Sequence, residues 1–90
     1  MLVKRNPRIL ASPLPDGSTV LLNLETGRYL TFNETATAIW ERAAQPISVA
    51  EIVSSLLEEY EADRVTLEID VRDALKTLSE RQVVTLEDQN

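Results

Sequence analysis

The segment GRYLTFNETATAIW, residues 27–40, contains the change of pattern on which the fold depends. Its first part, residues 28–32, is rich in aromatic and β-branched side chains, as strands are. After Asn33 the apolar side chains Ala36, Ile39 and Trp40 recur at helical spacing, and Asn is a favoured N-cap residue. The segment therefore predicts a strand that runs directly into a helix.

Two further strands are predicted before this segment. Residues 19–24 combine β-branched and large apolar side chains, and they form a hairpin with residues 28–32 through a three-residue loop. Gly27 ends that loop, where a positive φ is expected. Residues 8–12 form a short first strand, and residues 1–7 are expected to be a flexible arm.

Two helices and a final strand are predicted after the segment. Pro46 prevents the first helix from continuing. Ser48 and Glu51 form a capping box at the start of the second helix. Thr66 is expected to cap the third helix, and residues 83–86 form a short last strand.

These elements predict an α+β fold in a single domain of residues 1–90. The order is an N-terminal three-stranded antiparallel sheet, three helices and a short C-terminal strand, which is similar to a winged helix-turn-helix. A chain of 90 residues has room for one modest core.

The composition argues against several classes of function. The chain has no cysteine and no histidine, so it lacks the usual zinc ligands and the commonest general base. It has only two glycines and no phosphate-binding loop. We therefore expect no enzyme, metal or cofactor. Since no apolar run is long enough for a bilayer and no signal peptide is recognisable, we expect a cytoplasmic protein without a membrane partner.

The charge argues against nucleic acid, although a winged-helix topology suggests DNA. The net charge is −6, whereas DNA-binding proteins carry a basic patch that neutralises phosphates. The predicted third helix contains more acidic than basic residues: Glu68, Asp70, Asp73 and Glu80 against Arg72, Lys76 and Arg81. A DNA-binding regulator therefore stays a less favoured alternative.

Three blocks of sequence resemble PqqD-like proteins across about residues 20–86. They are Gly27-x-Tyr29-x-x-Phe32-Asn33-x-x-Ala36-x-x-Ile39-Trp40, Pro46-x-Ser48-x-x-Glu51-Ile52-Val53 and Asp70-Val71-x-x-Ala74-Leu75-x-x-Leu78. The resemblance implies a peptide recognition element of ribosomally made, post-translationally modified peptides. In such elements a leader peptide adds a strand to the third β-strand, in a groove beside the third helix.

Within this family the chain is most similar to the stand-alone leader-binding proteins of lasso peptide biosynthesis, which have about this length. This implies a precursor leader peptide as partner, with a leader peptidase and possibly a cyclase. One alternative is the peptide chaperone that serves a radical enzyme in pyrroloquinoline quinone synthesis. Another is a dimerisation module that pairs through the exposed strand.

The resemblance places the peptide-binding residues on the third strand and the third helix. They are Arg28, Tyr29, Leu30, Thr31, Phe32, Leu67, Asp70, Val71, Ala74, Leu75 and Leu78. Strand alternation predicts Leu30 and Phe32 toward the core, with Tyr29 and Thr31 nearer solvent or peptide. The sequence leaves open which side chains of the helix face the peptide and which way the Thr31 N–H points.

Three residues depart from the family pattern. Phe32 replaces a usual Leu, which is a tolerable change of volume. Ala74 replaces a frequent Phe, which predicts a roomier pocket. Gln82 replaces a common Gly, so the third helix must end by another device.

Overall fold

The computed structural model describes residues 1–88, with six strands and three helices among them. The strands are β1 (Leu2–Arg5), β2 (Ile9–Pro13), β3 (Thr19–Asn23), β4 (Tyr29–Phe32), β5 (Ile47–Ser48) and β6 (Val84–Glu87). The helices are α1 (Glu34–Arg42), α2 (Val49–Glu59) and α3 (Arg64–Glu80). The predicted fold class is confirmed: a three-stranded antiparallel sheet precedes three helices and a C-terminal strand.

The strands form two separate antiparallel sheets. One sheet has the order β2-β3-β4, as the sequence predicts, and β4 lies at its edge. The other has the order β5-β1-β6 and was not foreseen, because its strands are short and come from three distant parts of the chain.

The prediction of a flexible N-terminal arm is wrong. β1 is the central strand of the second sheet, and Val3 is completely buried. Arg5 stacks over the Trp40 ring, 4.3 Å from its centroid, and donates to the Trp40 carbonyl oxygen from Nη2 at 2.6 Å. The arm is therefore fixed by β5 and β6 of the second sheet and by Trp40, which lie far from it in sequence and meet it only in the folded protein.

The hairpin β3–β4 and the start of α1 follow the sequence signals. The Asn23 side chain accepts from the Glu25 N–H at 2.9 Å, and Gly27 has the predicted positive φ of 72°. Asn33 caps α1 by accepting from the Ala36 N–H at 2.9 Å. Strand β4 consequently passes into α1 without a loop.

The ends of α2 and α3 are defined by side-chain caps. The Ser48–Glu51 capping box is present. The N-cap of α3 is Asp63 and not Thr66, because the Asp63 carboxylate accepts from the Thr66 N–H at 3.1 Å. Gln82 has a left-handed φ of 61° after the helix, which is the conformation that usually favours Gly at a helix C-terminus. The expectation that α3 ends by another device is therefore wrong.

The core lies between the helices and the inner faces of both sheets. Its largest fully buried side chains come from every layer: Leu21, Ile39, Ile52, Leu56, Leu75, Val3, Val53, Val71, Val83 and Val84. Each such side chain contributes roughly 1.5–3 kcal/mol through burial. A buried hydroxyl pair, Thr37 to Thr19 at 3.1 Å, links α1 to β3. This packing fixes β4 opposite α3.

Candidate functional site

An open groove of about 450 Å³ separates β4 from α3. Its strand side continues into the first turn of α1 and is lined by Leu30, Thr31, Phe32, Asn33, Thr35 and Ala36. Its helix side is lined by Asp70, Asp73, Ala74, Thr77, Leu78 and Arg81. The groove is thus apolar at its centre and charged at its ends.

The free rim of β4 can be deduced from the register of the sheet. The Asn23 N–H donates to the Arg28 carbonyl oxygen at 2.9 Å, and β4 pairs with β3 as Leu21↔Leu30 and Leu22↔Tyr29. Opposed residues in an antiparallel ladder alternate between hydrogen-bonded and non-hydrogen-bonded pairs. The N–H and C=O of Tyr29 and Thr31 therefore point away from β3.

No strand among residues 1–88 covers that rim, since β4 pairs with β3 alone. An uncovered rim is a template for an added strand. The groove lies directly beside it, so a guest strand on β4 would place alternate side chains between β4 and α3.

The opposite rim of the same sheet offers fewer free donors. The Leu24 N–H donates to the Arg8 carbonyl oxygen, so the alternation leaves Ile9, Ala11 and Pro13 pointing outward from β2. The Ile9 N–H already donates to the Asn6 carbonyl oxygen at 3.2 Å, and Pro13 has no N–H. Strand addition is therefore favoured on β4.

A second cavity of about 440 Å³ continues the groove toward the C-terminal end of α3. The two cavities share Leu30 and Arg81, while Arg28 and Gln82 line only the second. The start of β4 thus lies near the end of α3, and the strand and helix run in opposite directions. The combined groove extends past both ends of β4.

Residues 18–84 match the family described as Coenzyme PQQ synthesis protein D (PqqD). This match spans most of the chain. The chain belongs to the PqqD family. The resemblance seen in the sequence is thereby confirmed.

Two solved structures are similar to this PqqD-family chain. One is described as TbiB1 in complex with the TbiA(beta) leader peptide, with 29% identity and a TM-score of 0.84 over 96% of this chain and 99% of that one. The other is described as lasso peptide synthetase B1 complexed with the leader peptide, with 28% identity and a TM-score of 0.79 over 93% and 98%. No curated protein matches this chain significantly.

The structure brings six of the predicted site residues to the groove of this PqqD-family domain. They are Leu30, Thr31, Phe32, Asp70, Ala74 and Leu78. Arg28 lines the adjoining cavity. The strand faces are as predicted, because Phe32 is buried and Tyr29 is 70% exposed.

Four predicted residues lie elsewhere. Val71 and Leu75 are at most 1% exposed and belong to the core. Leu67 lines a separate cavity with Leu56 and Tyr60. The Tyr29 side chain lies on the outer face of the sheet, although its backbone forms part of the rim. The helical stripe thus packs inward, and the groove uses the neighbouring strip of α3.

Six residues that line the groove were missed by the sequence prediction. They are Asn33, Thr35, Ala36, Asp73, Thr77 and Arg81. A signal for some of them exists, since Asp73, Thr77 and Arg81 follow Asp70 at intervals of three or four residues and share its side of the helix. Their polar character concealed them from a search for apolar stripes.

The outer face of the sheet carries an apolar row. Leu10 pairs with Leu22, and Leu22 pairs with Tyr29, so the three side chains lie side by side across the strands. Leu10 is 55% exposed, and Leu24 on the same face is also exposed. An unpartnered apolar face of this kind is typical of an interaction surface.

The described residues hold no cluster of side chains suited to a metal ion. Among residues 1–88, no helix combines the length and apolar character required to cross a membrane.

Proposed function

We propose that this chain binds the leader of a ribosomally synthesised precursor peptide as an added strand on β4 and delivers it to a leader peptidase and a cyclase in lasso peptide biosynthesis. The observation that carries this proposal is the uncovered rim at Tyr29 and Thr31 beside the groove. Two similar structures, TbiB1 and a lasso peptide synthetase B1, were solved with leader peptides.

The rim supplies affinity and the groove supplies specificity. Two residues with outward N–H and C=O groups offer four backbone hydrogen bonds, each worth roughly 0.5–1.5 kcal/mol net. These bonds do not read sequence. A guest aromatic or proline side chain between Leu30, Ala74 and Leu78 would add roughly 1.5–3 kcal/mol. Because association itself is costly, stable binding requires both contributions.

In this proposal the chain acts by binding and catalyses no reaction. A precursor held on β4 stays at high effective concentration near any enzyme that also binds the complex. The proposed increase in the rate of precursor processing therefore comes from proximity.

The outer face of the sheet supports the delivery step. A guest strand beside β4 would extend the row formed by Leu10, Leu22 and Tyr29, because its outward side chains would join that face. A peptidase that docks there would contact adaptor and leader together, and would thereby recognise the loaded form.

The family description favours a second candidate, a peptide chaperone in pyrroloquinoline quinone synthesis. It uses the same rim and groove but a different precursor. The relative affinities of the two precursor peptides, measured in competition for this one site, distinguish the candidates.

Direct titration tests the binding step. A labelled lasso precursor leader, with the TbiA(beta) leader peptide as the probe, the precursor of pyrroloquinoline quinone and a DNA duplex are each titrated at physiological salt by fluorescence anisotropy. We expect saturable binding of the leader, weaker binding of the other precursor and no binding of the duplex. Binding of the duplex without the leader would refute the proposal, and sizing with and without leader excludes a dimer formed through β4.

A further inference from the structure

We infer that the groove reads the order of charges along its guest, preferring a basic side chain followed about four residues later by an acidic one. This inference rests on the proposed function, because it concerns the same groove.

The two ends of the groove carry opposite charges. Asp70 and Asp73 line the end near the start of α1. Arg28, Arg81 and Glu80 line the other end. The formal charge is thus −2 at the first end and +1 at the second, so the acidic end is the stronger determinant.

These charges are not engaged within the described part of the chain. Among residues 1–88 none of the five side chains forms an ion pair or a hydrogen bond, whereas Glu68 and Arg72 on the same helix pair with each other at 3.1 Å. A guest with matching charges therefore need not displace an internal partner.

The dipoles of the neighbouring helix ends partly offset the charges of the two groove ends but do not reverse their signs. The first turn of α1 borders the acidic end and the last turn of α3 borders the basic end. Each helix end is equivalent to about half an elementary charge. The Ala36 N–H in the first turn of α1 is already bonded to Asn33, so the two full charges of Asp70 and Asp73 prevail.

The geometry sets the spacing. The rise of 1.5 Å per residue places Arg81 about 12–17 Å from Asp73 and Asp70 along α3. An extended guest covers this distance in about four to five residues, and only an even spacing keeps both side chains on one face. The spacing of four satisfies both conditions.

The direction of the guest sets the order. Both sheets of this protein are antiparallel, and antiparallel pairing is slightly more stable than parallel pairing. A guest antiparallel to β4 has its N-terminal side near Phe32, at the acidic end. The basic residue therefore comes first.

Charge-ordered peptides test the inference. In the leader segment whose amides become protected on binding, all charged residues are changed to Gln. Lys and Glu are then placed four positions apart in either order, giving three peptides with the Gln host. We expect the Lys-first peptide to bind about tenfold more tightly than the Glu-first peptide at low salt. The difference should largely vanish at 1 M salt, where the screening length is about 3 Å.

A charge-reversed protein supplies the matched test. The double variant Asp73→Arg/Arg81→Glu changes the formal charges of the two ends to 0 and −1, so it should lose the Lys-first preference and show a weaker Glu-first preference. The variant Glu58→Lys/Lys76→Glu, a corresponding exchange outside the groove, should keep the original preference. Equal binding of both orders, with the Gln host still bound, overturns the inference and leaves the proposed function intact. A Glu-first preference in the natural protein also overturns it, and failure of all peptides including the leader overturns the proposed function.

Discussion

At the scale of single residues, the direction of a few backbone amides decides which edge is open. Thr31 and Tyr29 present their N–H groups outward on β4. On β2 the corresponding positions include Pro13, which has no N–H, and Ile9, whose N–H is already bonded. Since an exposed edge can pair with another strand, this asymmetry favours strand addition on β4 over β2.

The substitution Thr31→Pro should weaken leader binding while the hairpin stays folded. It removes an outward donor and places a ring on the rim, and no bond of Thr31 to β3 is lost. We expect at least a tenfold higher Kd by anisotropy, with a similar melting temperature. Ala11→Pro, at an outward position on β2, is the control and should bind normally. Equal effects of the two substitutions would contradict binding at β4.

The substitution Ala74→Phe should fill part of the groove and weaken the binding of a bulky guest side chain. Ala74 is half-buried in the groove wall, so a ring there occupies space that a bulky guest side chain needs. We expect about a tenfold loss of affinity for a leader with an aromatic anchor, and partial recovery when that anchor is changed to Ala. Ala50→Phe, on an exposed part of α2, is the control. Unchanged affinity for both peptides would place the anchor elsewhere.

At the scale of elements, α3 and the first sheet each present two distinct surfaces. Val71 and Leu75 on α3 pack into the core, while Asp70, Ala74 and Thr77 border the groove. The sheet packs Leu21 and Phe32 inward and leaves its apolar row outside. One surface of each element stabilises the fold, and the other is available to partners.

The substitution Leu10→Asp should separate delivery from binding. The charge disrupts the apolar row, but Leu10 is exposed and far from the β4 rim in the sheet order. We expect unchanged leader affinity and a several-fold slower leader cleavage by a lasso-pathway leader peptidase that accepts this adaptor. Ser12→Asp adds the same charge farther along the same strand face, and with this variant the peptidase should cleave the leader at the normal rate. Equal rates of leader cleavage in the presence of the two variants would show that the peptidase docks on another surface.

At the scale of the whole molecule, the second sheet joins the N-terminal strand β1 to β6, the strand that follows α3. β1 lies between β5 and β6, with pairs that include Val3↔Ile47 and Val3↔Leu86. Arg5 then connects this sheet to α1 through Trp40. The N-terminal segment thus supports α1, whose first turn continues the strand side of the groove.

Removal of residues 1–7 should strongly destabilise the protein. It exposes the surfaces that pack on Val3 and leaves β6 without a strand partner. We expect loss of the cooperative thermal transition by circular dichroism. Within the intact chain, Val3→Ala should cost about 1–3 kcal/mol of unfolding free energy, whereas Lys4→Ala, which removes only an exposed ion pair with Glu87, should cost less than about 1 kcal/mol. A truncated protein that melts like the intact one would contradict this role.

Much of the fold could be predicted because its signals are local. The Asn33 cap, the Ser48–Glu51 box and the Gly27 turn each depend on residues a few positions apart. The same is true of the strand alternation that buries Phe32 and exposes Tyr29. Such features need only the backbone geometry of one helix turn or one hairpin.

The remaining features depend on contacts between distant segments, which a single sequence does not specify. β1 becomes a strand only where β5 and β6 meet it, so its four residues carry too little pattern to be recognised alone. The division of α3 into core and groove strips depends on which way the helix is turned against the sheet. The sequence alone determined the first sheet, the three helices, the last strand, the family resemblance and the candidate strand. Tertiary structure decided which rim is open and which side chains border it, because those properties arise from packing between elements.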